Sequence, residues 1–72
     1  MNWYSIKRKF GGPKMPLFIQ EHSETEAMHS ALWVMAPQAN CVTKPFEDHW
    51  EATVTHGEWV DTFVIRRENP NL

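Results

Sequence analysis

Four histidines and one cysteine in 72 residues are the first place to look for chemistry. A structural zinc site draws ligand pairs from a single turn or hairpin, with Cys or His about two to five residues apart. His22 and His29 are seven apart, as are His49 and His56, and Cys41 stands alone, so no metal site is expected. Nucleophilic catalysis would need Cys41 paired with a histidine. Lys44 is its only nearby cation and no helix start follows it, so nothing activates the thiol. The carboxylate pairs Glu47/Asp48 and Glu24/Glu26 read as loop and helix-cap residues. Gly11-Gly12-Pro13-Lys14 lies between two predicted strands, without the helix N-terminus that cradles phosphate. So small a domain also leaves little room for a substrate cleft. The expectation is no enzyme, no catalytic residue, no metal and no cofactor.

What remains is binding chemistry. Lys7, Lys9 and Lys14 with Trp3 and Phe18 form a basic patch with rings beside it, the combination that holds single-stranded nucleic acid. A solvated basic strand is the plainer meaning of the same run. Trp33 falls on the polar side of a predicted helix with Glu26, His29 and Ser30. Either Phe46 or Val42 folds back over that ring, or Trp33 anchors a partner, a role in which tryptophan is enriched.

Charge is unevenly spread. Residues 1–14 carry Lys7, Arg8, Lys9 and Lys14 and no acid; residues 15–65 carry eight acids against Lys44 alone. The net charge of −2 is too weak for an autonomous basic nucleic-acid binder and too weak for a nucleic-acid mimic. The acids Glu47, Asp48 and Glu51 could still address a basic channel as a partial mimic. No apolar run approaches the roughly 20 residues that cross a bilayer, and no secretory signal is evident. With one cysteine, the expected setting is a reducing one, the cytoplasm.

Those residues must be positioned by short elements. Trp3 to Phe10 alternates, placing Tyr4, Ile6 and Phe10 on one face, the strand period. After a connection over Gly11 to Pro16, Leu17 to His22 reads as the returning strand, with Phe10 opposite Leu17 and Arg8 drawn to Glu21. Ser23-Glu24-Thr25-Glu26 is a capping box. Ala27, Met28, Ala31, Leu32 and Met35 then make one apolar stripe of a helix that Pro37 stops. Residues 37–48 read as a long loop. Trp50, Ala52 and Val54 start a third strand, His56-Gly57 a turn, and Trp59 to Arg66 a fourth strand. Val54 opposite Trp59 would set Asp61 across from Ala52, needing an edge or an ion pair. Residues 68–72 read as a flexible tail. The predicted fold is a single α+β domain, ββαββ, with a four-stranded mainly antiparallel sheet in the order 2-1-3-4 and one helix on one face.

A single helix covers one side of such a sheet. The other side carries Trp3, Ser5, Lys7, Lys9, Phe18, Val60 and Val64, more apolar than a solvated face requires. It is either simply wet, as antiparallel sheets often are, or a contact face for a second copy or another protein.

The stretches Tyr4-Ser5-Ile6-Lys7, Ser23 to Leu32 and Gly57-Glu58-Trp59-Val60-Asp61 give an arrangement of basic first hairpin, acid-capped helix and closing strands. In layout this resembles small phage-encoded inhibitor proteins, such as short anti-CRISPR proteins and phage inhibitors of bacterial RNA polymerase. The resemblance implies a non-catalytic protein that occupies a surface of a bacterial nucleic-acid-processing complex. The partner-binding candidates are Trp3, Lys7, Lys9, Lys14, Phe18 and Trp33. The expected partner is a bacterial protein or nucleoprotein complex in the host cytoplasm, with a homodimer through the open sheet face, or nucleic acid on the first hairpin, as alternatives; no membrane is involved.

Overall fold

A computed structural model describes residues 1–35 and 38–70. The chain runs β1 (Asn2–Arg8), β2 (Leu17–Glu21), α1 (Glu24–Met35), β3 (Asn40–Pro45), β4 (Trp50–His56) and β5 (Trp59–Arg67). Its strands form one sheet in the order β2-β1-β5-β4-β3, and every neighbouring pair is antiparallel. This is the expected α+β layering, with one strand more than the sequence suggested.

The extra strand is β3, inside the segment expected to be a loop. Cys41 and Thr43 face Val54 and Ala52 of β4, while Val42 and Lys44 alternate to the far side. Asn40, Lys44 and Pro45 disguise it. Lys and Pro are the residues that blunt an edge strand, which is where β3 lies. Adding β3 also overturns the expected strand order. The additional reversal leaves β4 parallel to β1, so an all-antiparallel sheet cannot set it there, and β5 takes that place.

Both hairpins keep the expected faces but slide by an even number of residues. Leu17 pairs with Ile6 instead of Phe10, which leaves β1 and stands 74% exposed. Longer connection, residues 9–16, is the cause: Gly11 and Gly12 both take positive φ and carry the chain away from the sheet. In the second hairpin His56 pairs with Trp59, so the turn is Gly57-Glu58, with Gly57 at φ 62°. Asp61 therefore lies opposite Val54, not Ala52. Leu17 and Trp59, expected in the core, are exposed near the ends of the sheet.

The capping box forms as read. The Glu26 N–H donates to Ser23 Oγ at 3.2 Å, and the Ala27 N–H to the Ser23 carbonyl at 3.0 Å. The helix lies over β2, β1 and β5. Its Ala27, Met28, Ala31 and Leu32 bury against Tyr4, Ile6, Ala52, Val54, Phe63 and Ile65. A 12-residue helix is about 18 Å long, and the β3–β4 end of this face is closed instead by Trp50, Ala39 and Cys41. Trp50 meets Tyr4 edge-on, centroids 6.1 Å apart. The expected side chain of Met35 and the stop at Pro37 lie outside the described residues, as do residues 71 and 72 of the expected tail. Among the described residues, no helix is long and apolar enough to cross a membrane.

Candidate functional site

Two surfaces collect the residues that the core does not use, one on each side of the sheet. The helix side is built by periodicity. Glu26, His29, Ser30 and Trp33 follow at i, i+3, i+4 and i+7, so they form one outward line along α1. Ser30 donates its hydroxyl hydrogen to Glu21 at the end of β2, fixing the upper part of that line to the sheet. Trp33 is 76% exposed, beside shallow hollows lined by His29, Ser30, Leu32 and Ala39. The fold-back expected from Phe46 or Val42 does not occur: β3 carries Val42 along the sheet, Phe46 stacks on His49 in the turn that follows, and both are themselves exposed. Glu21, Glu24 and Glu26 rim this side, and α1 contains no Lys or Arg.

The open sheet face is built by strand alternation. One cross-strand row runs Phe18, Ser5, Arg66, and the next Lys7, Val64, Glu51, Lys44. Ser5, sunk between its taller neighbours, is only 4% exposed although it lies on the side away from the helix. Phe18 and Trp3 are half-buried on the same side. Lys7, Lys9 and Arg66 converge with Ser5, Pro16, Val64 and Glu68 on a cleft of about 340 Å³.

At the β4 end of that face stands a constellation which sequence inspection passed over. His49 Nδ1 lies 2.6 Å from Asp48 Oδ1, and its Nε2 lies 3.0 Å from Glu51 Oε2. Lys9 Nζ reaches Glu51 Oε1 at 2.9 Å across the sheet. Phe46 stacks parallel to the His49 ring, centroids 5.0 Å apart, in a turn closed by the Phe46 N–H donating to the His49 carbonyl. Hydrogen bonds to Glu51 and then Asp48 raise the His49 pKa, and His49 in turn lowers those of both carboxylates. A carboxylate on each ring nitrogen stabilises the imidazolium relative to the neutral ring, the arrangement of a clamp across the turn. The legible signal was His-x-Glu on a strand, which puts both side chains on one face. On the other side, burial pushes the Cys41 thiol up, partly offset by Thr43. That is the reverse of an activated thiolate.

The candidates from sequence thus separate. Lys7 and Lys9 share the open-face cleft, with Lys9 engaged by Glu51. Trp3 and Phe18 are on that face but half-buried, so they are less spare than expected. Lys14 is exposed in the 9–16 connection, and Trp33 lies on the opposite side of the molecule. Arg8 pairs with Asp61, not with Glu21 as expected. Among the described residues, no group of three or more His, Cys, Asp or Glu is arranged to hold a metal ion. No family model, curated protein or solved structure matches the chain.

Proposed function

We propose that the protein is a non-catalytic binding protein that seats Trp33 in a pocket of a protein partner. The observation that carries this reading is the 76% exposure of Trp33 on a helix that buries Met28 and Leu32. An indole left in water on a 72-residue domain forgoes burial worth roughly 2–3 kcal/mol, and binding would recover it. The rim of Glu21, Glu24 and Glu26 defines the chemistry of the partner, an apolar pocket bordered by basic groups. Following the layout resemblance, the concrete form of the proposal is a phage-type inhibitor that occupies such a surface on a bacterial nucleic-acid-processing complex.

The test is a comparison of Trp33→Ala with the unaltered protein in capture from a bacterial lysate, followed by mass spectrometry. The reading predicts a partner recovered by the unaltered protein and lost with the variant, while both melt within about 2 °C of each other. Equal capture by the two proteins would refute Trp33 as the anchor.

A further inference from the structure

We infer that the open face of the sheet is a binding surface for single-stranded nucleic acid, independent of the Trp33 side. The first observation is charge separation through the thickness of the molecule. The helix side presents Glu21, Glu24 and Glu26 without a cation on α1, its strand cations Arg8 and Arg67 being engaged by Asp61 and Asn2, whereas the open face presents Lys7, Lys9, Lys44 and Arg66. The acids of that face are largely spent internally, Glu51 on Lys9 and His49, and Asp48 on His49. Lys7, Lys44 and Arg66 are left to meet an anion, with Glu68 the acid at the cleft margin.

The second observation is where the rings stand. Phe18 and Arg66 flank Ser5 in one row, and one further step of the antiparallel register sets Arg66 beside His49 with Phe46 stacked on it. The Arg66 charge reaches Asp48 there. A planar guanidinium between two aromatic stations, with lysines in the adjoining row, matches what a single strand offers: bases to stack and phosphates to neutralise. Ser5 sunk between them opens the cleft instead of filling it. An acidic protein would use the lysines but has no need of the stacked Phe46–His49 pair.

The magnitude is modest and measurable. Three cations outside any close ion pair, Lys7, Lys44 and Arg66, give a log–log salt slope of about −2 for single strands, so affinity should fall roughly 15- to 20-fold between about 50 and 200 mM salt. The experiment is fluorescence anisotropy of a labelled oligothymidylate of about 15 nucleotides with the full chain, at both salt concentrations, beside polyglutamate as competitor. The Lys7→Gln/Arg66→Gln double variant, checked by its melting curve, should bind at least about ten-fold more weakly and show a slope near −0.7. Trp33→Ala should bind the oligonucleotide as the unaltered protein does, which keeps this result separate from the fate of the Trp33 reading. Absence of binding at low salt would overturn the inference. So would equal binding by the double variant, or displacement by polyglutamate at lower concentration than by unlabelled oligonucleotide.

Discussion

Arg8 Nε stands 2.8 Å from Asp61 Oδ2, joining β1 to β5 on the helix-facing side of the sheet. The approach is too bent for a hydrogen bond, so Oδ2 is buried with charge alone to compensate it, while Oδ1 accepts the Thr62 N–H at 2.8 Å. The Asp61 side chain is 10% exposed and that of Arg8 45%. Removing the arginine should therefore hurt more than an exposed ion pair would, because the carboxylate stays behind. Arg8→Ala is expected to cost about 1–3 kcal/mol, and Arg8→Ala/Asp61→Ala less than the sum of the two single changes. Urea unfolding of the four proteins measures both. An Arg8→Ala loss under about 0.5 kcal/mol, the size of a rim contact, would contradict this account.

Gly12 supports the same pair from beneath. It sits at φ +80°, and a Cβ there would lie 2.8 Å from Arg8 Cδ. The arginine is flexible and can shift, so the backbone conformation carries most of the cost. Gly12→Ala should destabilise by about 1–2 kcal/mol and reduce the further cost of Arg8→Ala, since the two changes disturb one contact. Gly11 has a positive φ but nothing near its missing Cβ. Its alanine variant should be additive with Arg8→Ala, which separates the two effects in the same unfolding assay.

How far the sequence discloses this arrangement can be judged from such residues. The faces were legible because alternation survives any even slip: Tyr4, Ile6, Ala52, Val54, Phe63 and Ile65 are all buried against the helix stripe. Register was not, since Phe10 and Leu17 satisfy the same alternation whether they pair or not, and only the length of the 9–16 connection decides. The identity of Arg8's partner follows from register, which is why Glu21 was the wrong choice. The strand over Asn40–Pro45 was hidden by edge chemistry. Trp33 was legible from the 100° step of a helix alone. The Asp48–His49–Glu51 clamp is local and was signalled by His-x-Glu, but its fourth member, Lys9, arrives from just past β1, a contact 42 residues distant in the chain.

The cap at Ser23 orients the helix that carries Trp33. Ser23→Ala removes the oxygen that receives the Glu26 N–H and should cost about 1 kcal/mol. Ser23→Asp restores an acceptor, with a charge that the helix N-terminus favours, and should recover most of that loss. Thermal melts followed by circular dichroism would report it; an alanine variant as stable as the aspartate one would show that the Ala27 N–H bond to the Ser23 carbonyl suffices.

The His49 clamp makes stability depend on pH in both directions. His49 is held above its ordinary value of about 6.5 in the folded state, with Glu51 the larger cause. Its contribution is therefore complete below that value and is lost as pH rises through the folded pKa. Asp48 and Glu51 are held below their ordinary values by the same contacts. Their contribution is complete above about pH 4.5 and is lost as pH falls through their folded pKa values. The two conditions overlap between roughly pH 5 and 6.5, where the clamp contributes most. His49→Gln keeps the ring's size only in part but removes the titration, so its melting temperature should change less than that of the unaltered protein between pH 6 and about 8.5. Parallel curves for the two proteins across that range would mean that another group governs the alkaline limb. Because Glu51 also holds Lys9, the Lys9→Gln variant should keep the alkaline fall while lowering stability uniformly, and salt should weaken this surface contact further.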